Sequence, residues 1–150
     1  MTTTTSLGPM LVETTRFGPI EVEEERIISV DEGIPGFRDL QRFTLVDVEG
    51  DQPFFWVQDV DDGELAFLAV VPWDYFPDYT FTLSDDDEFA LGVESVDEVL
   101  VLSIVTVDRE NESVSANLLG PLVVNHRTRR ARQVVVHGDH STRAPLGPVA

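Results

Sequence analysis

From Phe17 onward, short runs of β-branched and apolar residues alternate with turn signals, the pattern of strands rather than of helices. Ile20 and Val22 open it and Ile27, Ile28 and Val30 follow, while Glu21, Glu23 and Glu25 alternate toward solvent. Residues 43–48 predict a further strand, with Phe43, Leu45 and Asp47 on one face and Thr44, Val46 and Val48 on the other. Runs over 54–60 and 65–71 are separated by Asp61-Asp62-Gly63-Glu64. Asp-Gly between apolar runs predicts a hairpin, because both residues tolerate φ > 0. Pro72 and Pro77 bracket a loop crowded with Trp73, Tyr75 and Phe76, and residues 79–83 read as another strand. Ser84 followed by Asp85, Asp86, Asp87 and Glu88 predicts a helix start: serine caps, and acids favour the positive end of the helix dipole. Gly92 keeps that helix short. Strands over 100–107 and 114–118 flank a polar loop, and strands over 122–125 and 133–137 flank the turn from Arg127 to Arg130.

Two segments punctuate this pattern. In Gly33-Ile34-Pro35-Gly36-Phe37, Pro35 fixes its own φ and pushes Ile34 toward an extended conformation. Gly36 can then reverse the chain at φ > 0, and Phe37 drops back onto a core. In the run from Asn117 to Asn125, the apolar stretch is broken by Gly120-Pro121, which cannot sit inside a central strand. The run therefore predicts two strands joined at a corner, each carrying an Asn. Eight to ten short strands with one or two short helical turns predict an all-β fold, an antiparallel barrel-like or sandwich domain. Residues 1–13 show no pattern and are read as a flexible N-terminal extension. The domain then covers 14–146 and residues 147–150 form a tail, with the chain after His140 hugging the surface or fraying.

Charge alters this picture most. The chain carries 28 acidic residues against 10 basic ones, a net charge of −18, and every basic residue is Arg. Of the acids, 24 precede residue 101, whereas residues 101–150 carry a slight positive excess. A surface this negative repels nucleic acid and attracts basic partners, although across acidic proteins in general solubility or adaptation to salt is the commoner reason for such acidity. Cysteine is absent, so neither a disulfide nor a thiolate site can form, which suits a cytoplasmic location. The polar, uncharged start is unlike a signal peptide, and no apolar run reaches the length of a membrane span.

Candidate chemistry is sparse. His126, His137 and His140 lack the spacing of a helical zinc pair, and consecutive acids at 85–88 diverge too much for a calcium loop, so neither metal nor other cofactor is expected. Nucleophile-elbow, phosphate-loop and dinucleotide signatures are all missing, and the chain is read as a non-enzyme. Arg127, Arg129, Arg130 and Arg132 are read as neutralising the fold's own acids. Trp73 and Tyr75, with Trp56, Phe76 and Tyr79, are candidate interface anchors, since aromatic residues dominate binding hot spots. Gln58, Asn117, Asn125 and Gln133 interrupt apolar strands. Buried, they must find hydrogen bonds; exposed, they can bond a partner's backbone.

The glycine-proline turn and the Asn-Leu-Leu-Gly-Pro corner resemble the FliW family of flagellar assembly factors. The order of the other segments fits as well: Phe17 to Val22, Phe54-Phe55-Trp56-Val57-Gln58, Val71-Pro72, Asp78-Tyr79 and Arg130 to Val136. The likeness runs over roughly residues 14–146. It implies a β-barrel that binds the translational repressor CsrA, preventing it from silencing flagellin mRNA, and that also binds flagellin, which competes for it. The candidate contacts are then Glu21, Glu23, Glu25, Gln58, Asp61, Asp62, Trp73, Tyr75, Tyr79, Asn117 and Asn125. Gly33, Pro35, Gly36, Phe37, Gly120 and Pro121 serve as structural turns. Asp59, where a serine is usual, and Val30, where an aromatic is common, depart from the family pattern. A carbohydrate- or peptide-binding β-domain using the 73–79 loop is the alternative of a different class, and a hydrolase using clustered carboxylates is a third.

Overall fold

The computed structural model describes residues 9–30, 40–47, 54–110, 112–136 and 138–146. The turn of Gly33, Pro35, Gly36 and Phe37 lies outside the described residues, as do residues 1–8 and 147–150. Seven strands close into a barrel: β3 (Ile28–Val30), β4 (Arg42–Asp47), β5 (Phe54–Asp59), β6 (Ala66–Val70), β7 (Val99–Asp108), β9 (Leu122–Asn125) and β10 (Arg130–Gln133). Neighbours are antiparallel except β3 and β10, which run parallel. Every one of the seven contributes to a single interior: Ile28 and Val30, Phe43, Val57, Phe67 and Ala69, Leu102, Leu122 and Val124, and Ala131. The expected all-β, barrel-like class is what forms.

The long strand β7 makes closure possible. Val99–Leu102 pair with β9, while Val105–Asp108 pair with β8 (Ser113–Ala116). The chain thus runs back along one edge of β7 twice. Residues 117–121 are looped out where β7 offers only Ser103 and Ile104. This is the predicted corner. Asn117 sits just beyond β8, and its Oδ1 accepts from Leu119 N at 3.1 Å and Gly120 N at 2.9 Å. A short strand β11 (Ala144–Pro145) pairs with β8, so the C-terminal segment does hug the barrel.

Four expectations are corrected. Part of the supposed loose extension is a strand: β1 (Met10–Thr14) pairs with β2 (Gly18–Val22), because Val12 and Thr14 turn inward while Leu11 and Glu13 face out. Val12 and Val22 are buried with Val60, and Thr14 Oγ1 closes the hairpin by donating to Gly18 O at 2.7 Å. Next, the outward alternation of Glu21, Glu23 and Glu25 ends at Val22, since residues 24–26 form a 3-10 turn. Among the described residues, 79–83 join no sheet: Tyr79 and Phe81 pack on one another, but their backbone meets no neighbouring strand. Finally, the strand expected over 133–137 forms earlier, as β10. Asn125 and the left-handed Arg129 (φ 59°) tighten the turn, so pairing resumes at Arg130.

Helix α1 (Asp85–Leu91) forms as predicted. Ser84 accepts from Asp87 N, and Gly92 ends the helix with φ 66°. Leu91 packs with Val101, Val123, Val134 and Val136 on the outside of β7 and β9. Alternate side chains of a strand face opposite ways, which is why Leu122-Val123-Val124 is buried throughout: two faces, two cores.

Candidate partner-binding surface

The polar residues singled out in the strands are mostly internal braces. Gln58 is fully buried at the end of β5, and its Nε2 donates to Asp59 O, Gly63 O and Leu65 O at 2.9–3.3 Å. Asp59 is buried beside it and accepts from Asp61 N and Asp62 N at 2.7 and 3.1 Å. Burial pushes the Asp59 carboxyl above the usual range, and those two N–H groups pull against the shift. Arg42 grips Asp61 with two hydrogen bonds, which holds the Asp61 carboxyl below its usual value. The predicted hairpin is therefore real, but Gly63 is not among the positive-φ residues. Gly63 is required because a Cβ there would collide with the Glu13 carbonyl of β1, while Gly63 O accepts from Thr15 N at 3.0 Å.

Asn125 is also fully buried. Its Nδ2 donates to Leu91 O at 3.0 Å and Glu98 Oε2 at 3.3 Å, and its Oδ1 accepts from Arg127 N and Thr128 N. One side chain thus ties the C-terminus of α1 to the β9–β10 turn. Tyr79 is buried too; its hydroxyl donates to Leu118 O at 2.6 Å, and burial pushes the phenol up to about 12. Gln58, Asn125 and Tyr79 are candidate contacts that the structure turns inward: each is buried and donates to a carbonyl of the chain's own backbone. Asn117 is half-buried and spends its Oδ1 on the corner, where Gln133 Nε2 also donates to Gly120 O at 2.9 Å. Pro121 is buried beside it.

The remaining candidates are reachable. Glu21, Glu23, Glu25, Asp61 and Asp62 are exposed, and Tyr75 is half-buried against Phe54. Burial and Asp74 push the Tyr75 phenol up. Trp56 is covered by Phe17 edge-on and by the Arg16 guanidinium 4.0 Å over its ring. Trp73 is 39% exposed, stacks on Phe81 with ring centroids 6.4 Å apart, and donates its indole N–H to Tyr79 O.

Around Trp73 the structure assembles a surface that no single sequence run announced. A groove of about 430 Å³ lies between residues 81–83 and 93–96, with Trp73 at one end and Val99 and Val101 in its lining. A more open hollow of about 460 Å³ adjoins it, sharing Glu88, Val93 and Glu94 and adding Phe89. Phe89 is 87% exposed and Val96 82% exposed, which is unusual for large apolar side chains sharing one surface region. Phe89 and Leu91 sit two residues apart on α1, roughly 200° around the axis, so they cannot both face the core. That spacing was the legible clue to Phe89. Asp85 and Asp86 lie on the Phe89 side of the helix. Among the described residues Asp85, Asp86 and Glu88 make no ion pair.

The arginine turn serves the fold, as expected. Arg127 pairs with Glu98 at 2.9 Å and Glu94 at 3.6 Å, and its hydrogen bond holds the Glu98 carboxyl low. Arg132 reaches Asp87 at 3.4 Å, and Arg129 donates to Glu24 O at 2.8 Å. Among the described residues no three His, Asp or Glu gather as a metal site, and no helix is long and apolar enough to cross a membrane.

Comparison with known proteins adds a family context. The family model described as FliW protein matches residues 11–146. The flagellar assembly factor FliW of Ruminiclostridium cellulolyticum is 41% identical over 134 residues, covering 89% of this chain and 90% of that protein. The protein of the same name from Bacillus subtilis strain 168 is 34% identical over 139 residues, covering 92% and 97%. A crystal structure of the flagellar assembly factor FliW matches with a TM-score of 0.84 at 32% identity, over 92% of this chain and 97% of the other.

Proposed function

The chain belongs to the FliW family, and from that premise we propose that it is a flagellar assembly factor working in the cytoplasm without catalysis. It binds a CsrA-type translational repressor and relieves the silencing of flagellin mRNA. It also binds flagellin, which competes with the repressor and so couples flagellin translation to export. The observation that carries this reading beyond the family is the apolar groove bordered by the exposed acids Glu88 and Glu94 in a chain of net charge −18. Such a surface suits an RNA-binding protein: acids attract its basic face, and an acidic domain docked there raises the cost of RNA approach.

Steering and holding fall to different residues. Glu21, Glu23, Glu25, Asp61 and Asp62 are exposed acids that draw in a basic partner over distances screened at about 10 Å in ~0.1 M salt. Trp73 and Tyr75 act at contact range. Surface plasmon resonance with purified repressor and purified flagellin tests the reading. Both should bind, association should slow as salt rises, and flagellin should displace the repressor. Recovery of neither protein would refute the reading. The sugar-binding alternative is disfavoured because Trp73 and Tyr79 pack on one another and on Phe81 rather than offering an open aromatic platform.

A further inference from the structure

Among the described residues six large apolar side chains are exposed, and three of them, Phe89, Val96 and Trp73, border one connected depression. At 87% exposure Phe89 packs against little of the fold. It projects from a helix whose buried anchor is Leu91 alone. A phenylalanine kept largely in water beside Asp85, Asp86 and Glu88 buries little surface for the barrel, and its chemistry is that of an interface anchor bordered by charge.

We propose that this depression receives an amphipathic helix of a protein partner, with an apolar face bordered by Lys or Arg. The inference rests on the reading that the protein works by binding protein partners, but it names the surface and the chemistry of what docks there. Three observations support that occupant. Among the described residues the rim acids Asp85 and Glu88 lack ion-pair partners, and Arg127 in the same lining is committed to Glu94 and Glu98, so a cationic border completes them. The groove's lining is largely apolar side chains, Phe81, Leu83, Val93, Val99 and Val101, and the two strand residues among them already spend one edge on β9. A helix satisfies its own backbone and brings only side chains, the mode that an apolar groove serves. A second copy of this chain is the wrong occupant on charge: two surfaces from molecules of net charge −18 repel.

The test uses the full chain carrying Trp56→Phe, so that Trp73 at the groove is the sole indole reporter. Three synthetic 18-residue peptides serve as probes: a Leu/Lys peptide with helical periodicity, a Leu/Glu peptide of the same pattern, and a Leu/Lys peptide with strict alternation. The helical Leu/Lys peptide should bind and shift the Trp73 emission, and the Leu/Glu peptide should not. Phe89→Ser with Val96→Ser should weaken binding at least about tenfold, from the apolar area that no longer leaves water, without lowering the melting temperature. Glu88→Lys should weaken it separately and flatten its salt dependence. Equal binding by the Ser variant would overturn the proposal by showing mere attraction to an acidic surface. Tighter binding of the alternating peptide would overturn it in favour of strand addition along residues 80–83, which join no sheet. A concentration-dependent dimer abolished by Phe89→Ser would overturn it in favour of self-association. Repressor and flagellin titrated against the same variants separate the two ideas. If both bind the native chain and neither responds to Phe89→Ser, the functional reading stands and the groove is not their site. If neither binds while the helical peptide does, the groove stands and the reading falls.

Discussion

Replacing Asn125 with Ala distinguishes a structural brace from a contact residue. The side chain is fully buried and makes four hydrogen bonds, two as donor and two as acceptor. Leu91 O is not orphaned by the change, because Thr128 Oγ1 also donates to it at 2.8 Å. Arg127 N belongs to an exposed turn residue and can recruit water. The loss is therefore the net worth of the shorter bonds plus a small void, about 2–3 kcal/mol. For a domain of this length that corresponds to a fall of about 5–10 °C in melting temperature. Scanning calorimetry gives the value directly. Asn125→Asp keeps the acceptor, loses the donor and sets a carboxylate beside Glu98, so it should cost at least as much at neutral pH. The introduced carboxyl is pushed up by Glu98, so stability should recover as pH falls and that group takes a proton. A melting temperature within about 1 °C of the parent, together with lost partner binding, would refute the reasoning and return Asn125 to the interface.

Other outcomes follow from the same geometry. Gly63→Ala should destabilise by about 1–3 kcal/mol in urea unfolding, because its methyl group meets the Glu13 backbone. Gly18→Ala, with φ 70° but open space around it, should cost only about 1 kcal/mol; the reverse ranking would contradict the packing of β1 on the hairpin. Tyr79→Phe removes a buried donor to Leu118 O and should cost about 1 kcal/mol. In the parent, the Tyr79 phenol should resist ionisation to about pH 12 by ultraviolet titration. Since its folded value lies above the unfolded one, its contribution is intact below about pH 10 and is lost as pH rises toward 12; an early titration would mean an exposed ring. The purified protein should give no gel shift with RNA, and tight salt-sensitive binding would contradict the charge argument.

Local patterns in the sequence were enough for the class of fold, the helix start at Ser84, the Asp61–Glu64 hairpin and the corner at Gly120-Pro121. Each depends on backbone preferences that act within a few residues: a cap, a reversal, a missing N–H. The family was legible for the same reason, because those punctuation marks recur in order. Tertiary structure decided what local preference leaves open. Alternation placed Glu21 outward but could not say that the strand stops at Val22, and residues 79–83 alternate like a strand yet lack a neighbour to pair with. Gly63 looked like a turn glycine and is instead a point of contact with Glu13, 50 positions away in sequence. Gln58, Asn125 and Tyr79 carry side chains that suit an interface or an interior equally; only tertiary packing decided that their partners come from the chain itself. Phe89, Val93 and Val96 became a surface only when α1 docked through Leu91, since one anchored residue fixes which way the rest of a short helix must face.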